Sequence, residues 1–146
     1  MYPIKVNQQR LVVEEVYRYG SEFGFGLEVG SKPELLAVMA MTENAPDRLI
    51  VCNGFKDDSY IEAVTLATKL GRTIIPVVEK YTELNLILEY AEKIGVRQNI
   101  GMRVKLATGS VDPMKSTLMC ASVFQVLATN ATKQYELPIE FCMCVA

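Results

Sequence analysis

From residue 8 to 19 the apolar residues Leu11, Val12, Val16 and Tyr19 recur at helical spacing, with Arg10, Glu14, Glu15 and Arg18 between them. Gly20 is the expected stop of that helix. Ahead of it stands a short β-branched run, Tyr2-Pro3-Ile4-Lys5-Val6-Asn7, with a lysine inside it. A second strand is predicted over 25–29, set among Gly24, Gly26 and Gly30. Ser31, with Pro33 in the first turn and Glu34 three residues on, predicts a capping box. The helix it opens carries Leu35, Leu36, Val38, Met39 and Met41, and frays near Asn44-Ala45-Pro46. An almost continuous apolar run at 48–53 predicts a third strand, and Gly54 leads into a helix that starts at Asp57, Asp58 and Ser59, reaches Leu70 and closes at Gly71. Residues 73–79 predict a fourth strand, although Pro76 is unwelcome in an internal one. A helix from Thr82 to Ile94, closed by Gly95, and a fifth strand at 100–106 complete the pattern.

Strands and helices alternate through short connections, which predicts an α/β chain with a parallel sheet. A doubly wound open sheet and a partial (β/α) barrel both satisfy that order. About five strands and four helices amount to a little over half of an eight-stranded barrel.

Polar residues recur at the strand ends: Lys5 and Asn7, Glu28, Asn53, Glu79, then Arg103 and Lys105. Buried parallel strands ordinarily read as unbroken apolar runs, so an inward charge calls for a solvated or liganded cavity. Alternation puts Pro3, Lys5 and Asn7 on one face, opposite Ile4 and Val6. Glu28 shares a face with Gly26 and Gly30, and Arg103 with Gly101 and Lys105. Lys5 would thus point inward near the carboxyl end of its strand, where a desolvated lysine suits Schiff-base chemistry. A strand-edge lysine reaching water is the other reading of Lys5. The set of a lysine, carboxylates, amides and an arginine suits a cofactor or an anionic ligand better than a bare hydrolytic site.

Composition narrows the chemistry. The 146 residues fit one domain, half of them are hydrophobic, and the net charge is −2. With no basic stretch interleaved with aromatics, nucleic acid is not an expected partner. There is no histidine, which removes Ser-His and Cys-His nucleophiles and histidine metal sites. No metal ligand set is assigned. The cysteines, Cys52, Cys120, Cys142 and Cys144, form no CxxC pair, and the expectation is reduced thiols in the cytoplasm. No apolar stretch is long enough to span a bilayer, so no membrane partner is expected. Gly24, Gly26 and Gly30 follow G-x-G-x-x-x-G around a strand, which is not a dinucleotide fingerprint.

Three segments carry a resemblance. Residues 2–8 (YPIKVNQ), 26–35 (GLEVGSKPEL) and 52–57 (CNGFKD) resemble consecutive signature segments of the biosynthetic arginine decarboxylases. Glu79 with Glu83-Leu84, and residues 100–106 (IGMRVKL), continue the likeness in order. These are pyridoxal-phosphate enzymes with an alanine-racemase-like barrel. The resemblance covers about residues 2–108 and implies that this part is the first half of the barrel, followed by a divergent tail at 109–146 containing a helix near 118–128 or a closing strand near 136–145.

By that resemblance Lys5 is the catalytic lysine that holds pyridoxal phosphate covalently as a Schiff base. Glu28 and Arg103 belong to the cofactor's surroundings, and Asn53 and Lys56 fall in a family segment on the same face, with no definite role assigned. The implied reaction converts L-arginine to agmatine and carbon dioxide, a step of polyamine and spermidine biosynthesis. Magnesium is a further cofactor of the family, and its members are homo-oligomers. Family members are several times longer and supply, later in the chain, a histidine that stacks on the cofactor, a phosphate loop and a second domain. A truncated or frame-shifted gene is therefore expected, inactive alone. The alternative is a non-catalytic half-barrel that binds a ligand or regulates a longer enzyme.

Overall fold

In the computed structural model, residues 1–104 and 141–145 are described. The strands are β1 (Tyr2–Pro3), β2 (Leu27–Val29), β3 (Ile50–Cys52), β4 (Ile74–Val78), β5 (Ile100–Val104) and β6 (Phe141–Val145). Between them lie α1 (Arg10–Ser21), α2 (Lys32–Met41), α3 (Asp58–Lys69) and α4 (Tyr81–Ile94), with a short 3₁₀ turn at Ile4–Val6.

The strands lie side by side in chain order, each parallel to the next. This order decides between the two architectures. A doubly wound sheet reverses direction at a switch point, and here there is none. Right-handed crossovers repeated without reversal keep every connecting helix on one face, which is the geometry of a barrel sector. β6 adds a sixth strand, within the segment where a closing strand was one reading of the tail. The apolar helix expected near 118–128 lies outside the described residues.

Alternation sorts the side chains. In β2, Leu27 and Val29 are buried against the helical layer while Glu28, between them, is only half-buried. In β3, Ile50 and Cys52 are buried and Val51 is not. The registry sets Pro3 beside Glu28, Glu28 beside Val51 and Val51 beside Ile75, so these residues share the inner face. The outer faces meet Val13, Leu35, Val38, Tyr60, Val64 and Ala67 in one apolar cluster, and Ile61, Leu84, Ile87 and Leu88 join Val78 and Ile100 in a second.

Three expectations change in detail, and a fourth, the strand through Pro76, holds. Gly20 does not stop α1 but sits inside it, buried, because a Cβ there would come within 2.6 Å of the Phe25 ring. The capping box does not form: Ser31 is the N-cap, yet its side chain makes no capping bond, and the Glu34 carboxylate takes the N–H of Gly30 instead. Pro76 is tolerated because pairing with β5 begins at Val77, one residue after it. The first strand ends at Pro3, so the alternation drawn through Lys5 fails: Ile4 is buried and Val6 is exposed.

Candidate active site

The carboxyl ends of the strands surround a cavity of about 540 Å³ lined by Lys5, Glu28, Gly30, Glu34, Asn53, Gly54, Glu79 and Arg103. The four residues singled out in the sequence, Lys5, Glu28, Asn53 and Arg103, all reach it. They come from four different units of the fold. Asn7 takes another task, its side chain accepting the Gln9 N–H at 2.9 Å in the turn before α1. Lys105 lies outside the described residues.

Lys5 stands on the 3₁₀ turn with 65 % of its side chain exposed, and its Nζ is 3.8 Å from Oε1 of Glu28. A desolvated, inward lysine was expected; ending β1 at Pro3 leaves Lys5 in solvent at the rim instead. Glu28 is held by registry, two positions before the Gly30 rim and beside Val51. Asn53 follows β3, its N–H donating to Val29 O at 2.8 Å, which ties its backbone to the end of β2.

Arg103 and Glu79 meet for a simple reason. Val77 is registered with Gly101, so two residues further on the side chains of Glu79 and Arg103 fall side by side. Nη1 of Arg103 donates to Oε1 of Glu79 at 3.3 Å. Its Nε is buried and has no hydrogen-bond partner among the described residues. A buried donor left unpaired costs free energy, which an acceptor supplied by a ligand would offset.

Glu34 and Glu83 enter the site only with the structure, and Lys56, which the resemblance set on the same face as Asn53, turns out to lie behind the cavity wall rather than in it. Glu34 lines the cavity, and its carboxylate accepts from Gly30 N at 2.7 Å and from Nε2 of Gln8 at 2.8 Å. Lys56 is buried to 1 % exposure, its Nζ donating to Gly54 O at 2.8 Å and Val77 O at 2.5 Å and lying 3.8 Å from Oε2 of Glu83. Glu83, also buried, accepts from Lys56 N and from Glu79 N. Burial pulls the Lys56 ammonium below the usual lysine range, against the opposing pull of Glu83, Glu79 and Cys52. Burial also pushes the Cys52 thiol up to about 12, so it is not a nucleophile at neutral pH.

The donor set fits pyridoxal phosphate at the amine end: a primary amine at the rim, a carboxylate beside it and a guanidinium N–H without a partner among the described residues. Among the described residues no group of three or more carboxylates or thiols is placed to hold a metal. Glu28, Glu34 and Glu79 are each engaged elsewhere, with Lys5, with Gly30 and Gln8, and with Arg103.

A sector of parallel (β/α) barrel with a polar, amine-bearing mouth at the strand carboxyl ends is thus the class of structure on the page. Residues 1–135 match the family described as pyridoxal-dependent decarboxylase, pyridoxal binding domain, and the chain belongs to that family. It is 59 % identical over 109 residues to the biosynthetic arginine decarboxylase of Rhodopirellula baltica, covering 74 % of this chain and 16 % of that protein. The enzyme of the same description from Gloeobacter violaceus is 46 % identical over 136 residues, 88 % of this chain and 21 % of the relative. Among solved structures, the biosynthetic arginine decarboxylase of Campylobacter jejuni superposes with a TM-score of 0.75 at 33 % identity, over 93 % of this chain and 22 % of that one. The chain spans between 16 % and 21 % of the length of these two curated relatives.

Proposed function

We propose that the chain is the cofactor-binding sector of an arginine decarboxylase, with Lys5 as the amine that holds pyridoxal phosphate covalently and L-arginine as the substrate of the assembled enzyme. The observation that carries this reading is the convergence of Lys5, Glu28, Asn53 and Arg103, from four separate units, on one cavity at the strand carboxyl ends. When bound, pyridoxal phosphate supplies the electron sink for the pair left behind as carbon dioxide departs.

The chain's own groups have distinct tasks in this reading. Glu28, 3.8 Å from Nζ of Lys5, draws the exposed ammonium toward the sheet and would offer a carboxylate to exchange protons with it. Arg103 is steadied by Glu79, and its Nε–H, without a partner among the described residues, would be the donor for an acceptor oxygen of the cofactor. Asn53, on a backbone anchored to β2, adds an amide to the same wall. The product would be agmatine, feeding polyamine and spermidine biosynthesis in the cytoplasm. The full enzyme would be a homo-oligomer, with the rest of the barrel closing the site against water.

The exposure of Lys5 favours a second reading, in which this half-barrel binds a ligand or regulates a longer enzyme without turning over. Titration with pyridoxal phosphate, followed by visible absorbance, and then assay of agmatine from L-arginine separates the readings. Saturable loading, with agmatine formed once the remaining barrel is supplied, supports the first. Loading without agmatine under those conditions supports the second, and absence of saturable loading overturns both.

A further inference from the structure

Lys56 is the most deeply placed cation among the described residues, and neither the cofactor nor the substrate of the proposed reaction requires it. It lies at 1 % exposure in the loop between β3 and α3, directly behind the cavity wall formed by Asn53 and Gly54. A lysine in such a loop ordinarily turns to solvent, because burying an ammonium is costly unless it is paired and hydrogen-bonded. This one is turned inward and meets two backbone carbonyls and one carboxylate.

The three contacts belong to three different pieces of the site. Gly54 O is in the loop that follows Asn53, Val77 O is near the end of β4, and Glu83 opens α4. Glu83 in turn accepts the Lys56 N–H at 3.2 Å and the Glu79 N–H at 2.9 Å. Lys56 and Glu83 therefore close a ring of bonds around the two loops that carry Asn53 and Glu79 into the cavity, and Glu79 holds Arg103.

We propose that Lys56 is a positioning residue for the cofactor pocket: by clamping Gly54 O and Val77 O and pairing with Glu83, it fixes the β3–α3 and β4–α4 loops so that Asn53 and the Glu79–Arg103 pair face the bound cofactor. This rests on the pyridoxal-phosphate reading of the pocket. Lys56 touches neither the cavity nor the reacting groups.

The test uses the full chain carrying Lys56→Met, which keeps the apolar stem and removes the three donors. Glu83 retains its two backbone N–H partners and its place in the first turn of α4, where negative charge is favourable. For the case that the remaining buried carboxylate prevents folding, Lys56→Met/Glu83→Gln is compared with Glu83→Gln alone. Two readouts are taken on chains of confirmed fold: the pyridoxal-phosphate concentration that half-saturates loading, and amide hydrogen exchange at residues 53–57 and 79–83.

The expected result is a half-saturation concentration raised by about tenfold to a hundredfold, as loops misplaced by fractions of an ångström would give, with faster exchange confined to those two segments. Glu79→Gln should weaken loading in the parent and add less than about twofold in the Lys56→Met background, because both act on one arrangement. A purely structural lysine would not show that coupling. Parent-like loading and exchange in the folded variant, or full additivity with Glu79→Gln, overturns the proposal. If the parent itself does not load, the reading of the pocket has failed, and exchange alone judges the clamp: acceleration in the two segments upholds it and unchanged exchange rejects it.

Discussion

Glu34 and Glu83 hold the same place, third in α2 and third in α4, and make the same pair of bonds. One oxygen takes the backbone N–H that follows the preceding strand, Gly30 N at 2.7 Å and Glu79 N at 2.9 Å. The other reaches the loop of the preceding unit, Nε2 of Gln8 at 2.8 Å and Lys56 N at 3.2 Å. Each glutamate staples its own strand end to its neighbour's, and both staples sit at the mouth of the sheet. They differ in depth: the Gln8–Glu34 bond is exposed, whereas Glu83 is 2 % exposed.

The difference in depth sets a difference in cost. Glu34→Ala should destabilise the chain by about 1 kcal/mol, the usual worth of a hydrogen bond that water can replace. Glu83→Ala leaves the Lys56 charge buried without its carboxylate and should cost about 3–5 kcal/mol. Chemical denaturation of the two variants checks the order; equal losses would contradict it.

Gly54 marks where the β3–α3 loop passes closest to β2. Its φ is +77°, and a Cβ there would lie 2.5 Å from Gly30 O, a backbone atom that cannot rotate away. Gly54→Ala should therefore lower stability by about 1–3 kcal/mol and weaken loading of the cavity it lines. Gly71→Ala, at φ +82° with open space around it, is the control for backbone strain without a clash.

Cys52 gives a pH signature. Burial lifts its pKa to about 12 from a model-thiol value of 9.0, so between those values the folded chain holds a proton that the unfolded chain releases. The folded state then binds more protons, and stability falls as pH rises. The contribution is complete below about pH 9 and is lost on approach to about pH 12, with a limiting slope of about 1.4 kcal/mol per pH unit. Cys52→Ala should flatten that part of the stability–pH profile. Alkylation mapped to Cys52 at neutral pH should require unfolding.

How far the sequence discloses the site depends on which residues announce themselves. Glu28 and Arg103 interrupt apolar strands, and such an interruption has one economical cause, an inward polar cavity. Residue alternation placed them correctly because β2 and β5 extend through them. The same reasoning put Lys5 in the cavity wall but buried it wrongly, because β1 stops at Pro3, three residues before its β-branched run ends at Val6. Lys56 was visible only as a neighbour of Asn53 in a family segment, with no role; its burial behind the cavity, rather than on its face, is set by tertiary packing. Glu34 and Glu83 looked like ordinary acidic residues of a helix first turn, and their bridging to neighbouring loops depends on the sheet order. That order, in turn, was not decidable from alternating strands and helices; the unreversed registry settles it.

Arg103 separates stability from binding. Its pair with Glu79 is partly exposed, 35 % and 21 % by side chain, so Arg103→Gln should change folding stability by less than about 1 kcal/mol. The Nε–H, which has no partner among the described residues, is however lost with the guanidinium. Loading with pyridoxal phosphate should then weaken by about tenfold, the worth of one hydrogen bond to a charged group. A parent-like titration of this variant would mean that Arg103 serves only to hold Glu79.

Lys5 is proposed as the amine of a formed cofactor site rather than one surface lysine among several. Borohydride trapping of the chain with pyridoxal phosphate, followed by peptide mapping, tests it most directly. Label should concentrate on the peptide bearing Lys5, be absent in Lys5→Ala and be diminished in Arg103→Gln. Label spread evenly over Lys32, Lys69, Lys80 and Lys93, and unaffected by either substitution, would contradict it.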